Sequence, residues 1–299
     1  MNYTLRQLEV FKAVAENKSF TKASEILHLT QPAVSIQFKS FAEQFDFPLI
    51  EYQGRTLVIT EFGQRVLFQV NEIWDRLALL NHNLNEPGQI TGTLRITTVS
   101  TGKYIMPYFL TDFLAQHPGI QLHMDVSNKN SVATSLLENT IDFALVSVLP
   151  ENIDLESETL MKNDLIMVAN KNLHHTITKE NLKDQNFVIR EEGSATRNAM
   201  EDFLKRIKLT PQKKLYLTSN EAVKQSVMAG LGISLMPLIG MRTELDLQKL
   251  IQIDHPHLPL TSTWRLAWRS NKVLSPAALA FREHLRLNKQ KVIEEHFLV

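Results

Sequence analysis

The chain has no cysteine among its 299 residues, which removes disulfide bridges, thiolate metal sites and cysteine nucleophiles from consideration. It also lacks a net charge: 32 Lys and Arg offset 32 Asp and Glu, so the whole-chain balance does not advertise a polyanionic partner. No run reaches the roughly 18 apolar residues that a membrane span requires. Arg6, Glu9 and Lys12 interrupt the apolar residues near the N-terminus, so no secretory signal is expected and the protein is read as cytoplasmic, with no membrane partner. What the chain does have is 43% hydrophobic residues, enough for burial to supply its stability. Its length exceeds one typical domain and suits a small head joined to a larger body.

Residues 19–40 place two short amphipathic helices back to back, and Thr30-Gln31-Pro32 opens the second. Ala23, Ile26 and Leu27 share one face of the first, and Val34, Phe38 and Phe41 share one face of the second, so the pair can bury a common core. The opposite face of the second helix offers Gln31, Ala33, Ser35, Gln37 and Lys39, groups able to enter a major groove and reach base edges. Thr30 can cap this helix, and Pro32 fits its first turn, where a missing amide breaks no helical bond. By spacing alone, a DNA-binding helix-turn-helix and an ordinary packed pair of helices fit equally well.

Four stretches favour the first. Leu5-Arg6-Gln7-Leu8-Glu9-Val10-Phe11, Ser19-Phe20-Thr21-Lys22-Ala23-Ser24, Leu29-Thr30-Gln31-Pro32-Ala33-Val34-Ser35 and Leu57-Val58-Ile59-Thr60-Glu61-Phe62-Gly63 resemble, in order and spacing, the winged helix-turn-helix of LysR-type transcriptional regulators. The resemblance runs through nearly the whole chain and implies an α+β multi-domain fold. It places a winged helix-turn-helix DNA-binding domain at 1–60 and a coiled-coil linker and dimerisation helix at 61–91. A two-lobed α/β effector domain like a periplasmic binding protein follows at 92–299, with lobe one at 92–164 and 266–299 and lobe two at 165–265. Two positions depart from the family pattern, since Ile36 and Tyr52 stand where many relatives carry a basic residue. Within residues 1–60, Arg6, Lys12, Lys18, Lys22, Lys39 and Arg55 are matched by Glu9, Glu16, Glu25, Glu43, Asp46 and Glu51. Weak background binding and reliance on dimeric, site-specific contacts are therefore expected.

Ile50-Glu51-Tyr52 and Leu57-Val58-Ile59 flank Gln53-Gly54-Arg55-Thr56, a hairpin tip that either holds Arg55 against a phosphate or minor groove or leaves it solvated. The expected DNA-contacting set is Thr30, Gln31, Pro32, Ala33, Ser35, Gln37, Lys39 and Arg55. Thr60 is the expected cap of the next helix, where Val66, Val70, Ile73, Leu77, Leu80 and Leu84 alternate steps of four and three, the seam of a coiled coil. That seam predicts a homodimer that reads an inverted-repeat site in double-stranded DNA, and the family resemblance implies further assembly to a homotetramer. The alternative is a helix lying on its own domain. Asn-Glu-Pro-Gly at 85–88 is expected to end the helix.

From residue 92 strands alternate with helices, with strands predicted at 94–99, 121–126, 141–146, 165–169, 187–189, 215–217, 233–236, 250–253 and 264–268. Two sheets are expected, with crossovers between lobes near 163–167 and 263–267. The cleft should be lined by strand-end loops that run into helix N-termini, where unpaired amides and the helix dipole favour a small anionic metabolite, a carboxylate or phosphate. Ser100-Thr101-Gly102-Lys103, with its flexible glycine, and Gly193-Ser194-Ala195-Thr196-Arg197 are the facing candidates, and Arg197 can grip an anion in a fork. The expected effector-binding set is Ser100, Thr101, Lys103, Asn128, Ser131, Ser147, Thr196 and Arg197. Each hydroxyl can equally be a helix cap, and Lys103 or Arg197 a surface ion pair. The segments 100–104, 189–197, 219–225 and 229–233 are also similar to the branch of the family that regulates carbon-fixation operons, which implies phosphorylated or carboxylated effectors.

Enzyme readings fare poorly. His174-His175 and His255-Pro256-His257 lack the spacing and the accompanying acid of a zinc-hydrolase motif, and Gly232-Ile233-Ser234-Leu235-Met236 lacks the second glycine of a nucleophile elbow. Trp264 and Trp268 share a strand face and suit core packing. No catalytic residue, metal or cofactor is expected. A metabolite-responsive DNA-binding regulator is the leading reading, and a soluble small-molecule receptor whose N-terminal domain mediates protein contacts is the alternative.

Overall fold

The computed structural model describes residues 3–84, 90–173 and 181–297, without the side chains at 78, 79 and 81–84. The side chain of Leu84, the helix stop at 85–88 and the His174-His175 pair lie outside the described residues. The chain divides into two compact units, one formed by Met1–Pro87 with Leu137–Thr140 and Asn271–Ser275, the other by the remainder.

In the first unit, α1 (Leu5–Asn17), α2 (Phe20–Ile26) and α3 (Gln31–Ala42) precede a hairpin of β1 (Ile50–Gln53) and β2 (Thr56–Ile59) and the long α4 (Glu61–Leu84). Helix α1 starts where it does because Thr4 and Gln7 cap each other. The Gln7 amide donates to the Thr4 hydroxyl at 3.2 Å and the Thr4 amide to the Gln7 carboxamide oxygen at 2.8 Å. Ser19 caps α2 by accepting from the Lys22 amide at 3.3 Å. Pro32 sits in the first turn of α3, but Thr30, although in the cap position, accepts no cap bond through its hydroxyl. Val10, Phe11, Val14, Ala23, Val34 and Phe41 make the core, with Phe11 and Phe41 rings 5.2 Å apart. Ile26 does not join them and is 56% exposed, because the buried stripe of this seven-residue helix runs through Ala23 to Leu27 just beyond its end.

The hairpin pairs Gln53 with Thr56 across a two-residue turn, and Gly54 takes the left-handed backbone (φ +66°) that such a turn requires. The Thr60 hydroxyl then accepts from the Gly63 amide at 2.9 Å and donates to the Pro48 carbonyl at 2.6 Å, tying the start of α4 to the strand entry. Gly63 packs directly on the Leu49 carbonyl, and a Cβ there would overlap that oxygen. The expectation that all of the α4 seam is free for a second chain needs correction. Val70 is buried in the head core, and Val66, Ile73 and Trp74 pack against it, because α1 and the hairpin cover that side of the helix. Leu77 is half-buried and Leu80 exposed.

The second unit begins with parallel β-α-β winding: β3 (Gly92–Val99), α5 (Met106–Gln116), β4 (Ile120–Ser127), α6 (Lys129–Leu137) and β5 (Phe143–Val146), with β3 between β4 and β5. The 16-residue β6 (Leu155–Asn170) leads to β7 (Asn186–Arg190), α7 (Ala195–Arg206), β8 (Lys213–Leu217), α8 (Asn220–Met228), β9 (Ser234–Pro237), α9 (Arg242–Asp246) and β10 (Leu250–Ile253). The chain returns through β11 (Leu260–Arg269) and ends in α10 (Pro276–His296). Strand order is β10-β6-β11-β5-β3-β4, with β9 also on β6. The parallel pair β7-β8 joins through a bridge between Phe187 and Ile233.

Two sheets were expected, and the hydrogen-bond path shows why they are not separate. Strands β6 and β11 run through both halves and pair antiparallel from Leu260 opposite Leu165 to Arg269 opposite Leu155, with an irregularity between Trp264 and Arg265. Of the expected crossover segments, 163–165 and 263–267 lie inside this ladder. Its outer part reads poorly in sequence because Glu156, Glu158 and Lys162 interrupt the apolar alternation along a half-exposed stretch.

The core is split between the halves. Phe109, Phe113, Phe143 and Phe281 are buried in one, with the Phe113 and Phe281 rings 5.1 Å apart. Phe187, Met200, Phe203, Ile233 and Leu235 form the core of the other. Trp264 and Trp268 are both buried, and the Trp268 indole meets Phe143 edge to face at 5.6 Å. The C-terminal charged stretch continues α10 to His296, with Val292 and Phe297 buried.

Candidate effector cleft and nucleic-acid interface

In the second unit a cleft of about 90 Å³ is lined by Val99, Ser100 and Thr101 after β3, by Ser127, Asn128 and Lys129 between β4 and α6, and by Ser147 after β5. Arg190, Glu191, Ser194, Ala195 and Thr196, from the end of β7 to the start of α7, face them. Asn163, Leu165 and Ser262 on the two long strands form the wall between. Strand ends and helix starts thus converge here, as the winding of an α/β fold dictates. The starts of α6 and α7 each leave amides without an intrahelical acceptor. Asn128 caps α6 by accepting from the Ser131 amide at 2.9 Å, whereas Ser194 caps α7 by position alone, with no side-chain bond to the helix.

Arg190, only 5% exposed at the end of β7, is the buried cation of the cleft. Its Nε and Nη2 donate to the two carboxylate oxygens of Glu191 at 2.6 and 2.7 Å. Its Nη1 reaches the Ser100 hydroxyl at 3.3 Å and the carboxamide oxygen of Asn220, itself 3% exposed. The Asn220 amide also donates to Ser100 at 3.0 Å, so the loop after β3 is held by two side chains from the opposite half. Burial pushes the Glu191 carboxyl up, but its hydrogen bonds from Arg190 and the backbone, with the guanidinium charge, hold it below the usual carboxylate range. Asn163, 5% exposed, donates to the Ser262 hydroxyl at 3.0 Å and leaves its own carboxamide oxygen without a partner.

Of the expected effector residues, Ser100, Thr101, Asn128, Ser147 and Thr196 line the cleft, and Lys103, Ser131 and Arg197 do not. Lys103 follows a tight turn in which Gly102 packs on the Thr98 hydroxyl, leaving no room for a Cβ, so this glycine serves close packing where flexibility was expected. The Lys103 ammonium lies over the Tyr104 ring at 5.0 Å. Ser131 is exposed on α6. Arg197 turns along α7 to Glu201 at 2.8 Å and over the Tyr216 ring at 5.2 Å. Arg190, Glu191, Asn163 and Ser262 were missed, and Ser194 of the candidate motif joins the lining. The available signal was position: Arg190 ends a strand, where α/β ligands sit, and Arg197 lies in the first turn of a helix. Ser234 of the glycine-flanked motif is buried and donates to the Val188 carbonyl at 2.6 Å, a structural bond in the core.

In the first unit α3 turns Val34, Phe38 and Phe41 inward and exposes Gln31, Pro32, Ile36 and Lys39, with Ala33, Ser35 and Gln37 partly covered. Thr30 is exposed just ahead of it, and the Gln31 amide donates to the Ser35 hydroxyl at 2.9 Å. Arg55 is exposed at the hairpin tip, and Tyr52 is exposed on β1.

A helix-turn-helix with a wing and a separate α/β unit with a polar cleft define a DNA-binding regulator that carries its own small-molecule receptor. Two family models cover most of the chain: "Bacterial regulatory helix-turn-helix protein, lysR family" over residues 5–64 and "LysR substrate binding domain" over residues 87–289. The protein belongs to the LysR family of transcriptional regulators, and is a DNA-binding regulator with an effector-binding domain, not an enzyme. The RuBisCO operon transcriptional regulator of Allochromatium vinosum is 39% identical over 288 residues, 95% of each chain. The regulatory domain of CcmR from Synechocystis PCC6803, solved in complex with 2-PG, is 30% identical with a TM-score of 0.62, covering 67% of this chain and 98% of that one. Full-length OxyR from Pseudomonas aeruginosa, 17% identical with a TM-score of 0.75 over 98% of this chain and 95% of its own, shares the fold. Among the described residues no helix is long and apolar enough to cross a membrane.

Proposed function

We propose that this regulator senses a small acid bearing phosphate or carboxylate groups, bound in the cleft of its effector domain, and that the acid changes how the protein engages an inverted-repeat DNA site. The observation that carries this is the convergence of two helix starts, a row of hydroxyls and buried Arg190 on one cavity of about 90 Å³. Amide-rich helix starts favour anions, and a buried guanidinium favours them more strongly than an exposed one. The likeness to a CcmR domain solved with 2-PG makes a phosphorylated two-carbon acid the first compound to try. The bound anion competes with Glu191 for Arg190 and with the Arg190–Ser100–Asn220 contacts, so it changes how the two halves of the cleft are held together.

On this reading the protein acts in the cytoplasm as a homodimer through the exposed part of α4, assembling further to a tetramer. Arg55 and the α3 residues Gln31, Pro32, Ala33, Ser35, Gln37 and Lys39, with Thr30 ahead of them, meet DNA. The test is selection of genomic fragments by the full chain, with and without 2-PG, at near-physiological salt. The expected result is a compact set of inverted-repeat fragments whose recovery or footprint changes with 2-PG. Fragments recovered identically with 2-PG and a panel of other phosphorylated and carboxylated acids would refute the effector assignment.

A further inference from the structure

We propose that Ile36 reads the C5-methyl group of a thymine in the major groove, and so sets one base of the recognition sequence by apolar contact. On α3 the residues turned into the head are Val34, Phe38 and Phe41, at 0, 6 and 1% exposure. At about 100° per residue, Ile36 stands opposite that face, and it is 68% exposed. A single exposed isoleucine on an arbitrary surface needs no explanation. This one occupies the centre of the outward face of the second helix of a DNA-binding helix-turn-helix, between Pro32 one turn before it and Lys39 and Ser40 one turn after, all three exposed.

Its chemistry narrows what it can meet. The isoleucine side chain has no donor, acceptor or charge, and the one apolar feature that unmodified bases present in the major groove is the thymine methyl. The β-branched side chain is stiff at χ1, so it presents a fixed shape at little entropic cost. Its polar neighbours are less free, since Gln31 and Ser35 are hydrogen-bonded to each other at 2.9 Å and must break that bond to face a base. Residues 1–60 carry six basic and six acidic side chains, so phosphate attraction contributes little and discrimination rests on base contacts such as this one.

The inference rests on α3 being the groove-entering helix, and the test separates the two. A duplex selected by the full chain is remade with each thymine replaced singly by deoxyuridine, which lacks only the methyl. Wild-type protein should lose about fourfold in affinity at one thymine of a half-site, the worth of one buried methyl. Ile36→Ala, which removes an exposed side chain and leaves the core intact, should bind the thymine and deoxyuridine duplexes equally at that position while binding random duplex as wild type does. Ile36→Val should retain the discrimination. If no thymine shows a penalty that Ile36→Ala abolishes, the assignment of Ile36 is wrong, although binding to the selected duplex would still uphold α3 as the reading helix. Failure to select any duplex would overturn both.

Discussion

Arg190 and Glu191, neighbours in the chain, form a two-pronged ion pair at 2.6 and 2.7 Å at the mouth of the effector cleft. The buried cation best placed to hold an anionic effector is thus already held by an internal carboxylate. On the proposed function, an arriving anion has to displace that carboxylate.

Replacing Arg190 by Ala should weaken 2-PG binding about 10- to 150-fold, the range expected when charge-assisted hydrogen bonds worth about 1.5–3 kcal/mol are lost. Binding to operator DNA without effector should be retained. Arg197→Ala, by contrast, should change 2-PG affinity less than threefold, because its guanidinium is spent on Glu201 and Tyr216 outside the cleft. Calorimetric titration of both variants decides the matter, and a reversed order would return the anion site to Arg197.

Glu191→Gln should tighten anion binding by removing the internal competitor, and it carries a pH signature. The folded-state pKa of Glu191 is depressed. Its ionised form therefore contributes stability above the ordinary glutamate value of about 4.3, and this is lost as pH falls from there through the folded-state value. Wild type should be more stable than Glu191→Gln near pH 7, by about 1 kcal/mol or less for a partly exposed pair, with the gap closing in acid. Thermal melts between pH 7 and pH 3.5 measure it. A gap that widens in acid would contradict the ion pair.

Gly63→Ala should destabilise the head by about 2–4 kcal/mol, since the new Cβ overlaps the Leu49 carbonyl, a backbone atom that cannot step aside without disturbing the hairpin. Urea unfolding of the full chain, followed by hydrogen exchange of the head amides, reads this directly. An unchanged midpoint would show that the strand entry gives way freely.

If α4 carries the proposed dimer interface, Leu80→Glu should dissociate it without unfolding the head, because Leu80 is 53% exposed within one chain. Val70→Glu should unfold the head, because that side chain is buried in its core. Sedimentation velocity with circular dichroism distinguishes the two. An unchanged sedimentation coefficient for Leu80→Glu would place the dimer interface elsewhere.

Much was legible in the chain itself. Thr60 is the cap at the start of α4, and the alternation of strands and helices after residue 92 is local information carried by periodicity and turn residues. The turn of α3 that buries Val34, Phe38 and Phe41 exposes a face already visible in their spacing. Local patterns fail where two distant segments share a surface. Spacing marks Val66, Val70 and Ile73 as a seam, but only the folded head shows that α1 and the hairpin already cover them.

The cleft makes the same division. That hydroxyls and helix starts would gather at strand ends was written in Ser100, Thr101, Ser147 and Thr196. Which arginine faces them was signalled only by position, with Arg190 at a strand end and Arg197 in a helix, and was decided by what packs around each side chain. The sequence alone determined the class of protein, its helix-turn-helix and the chemistry available for an anion. Tertiary structure placed Arg190 on the cleft, set Asn220 and Ser100 against it from opposite halves, and spent Arg197 on Glu201, since a side chain's partners are decided by what the rest of the chain packs around it.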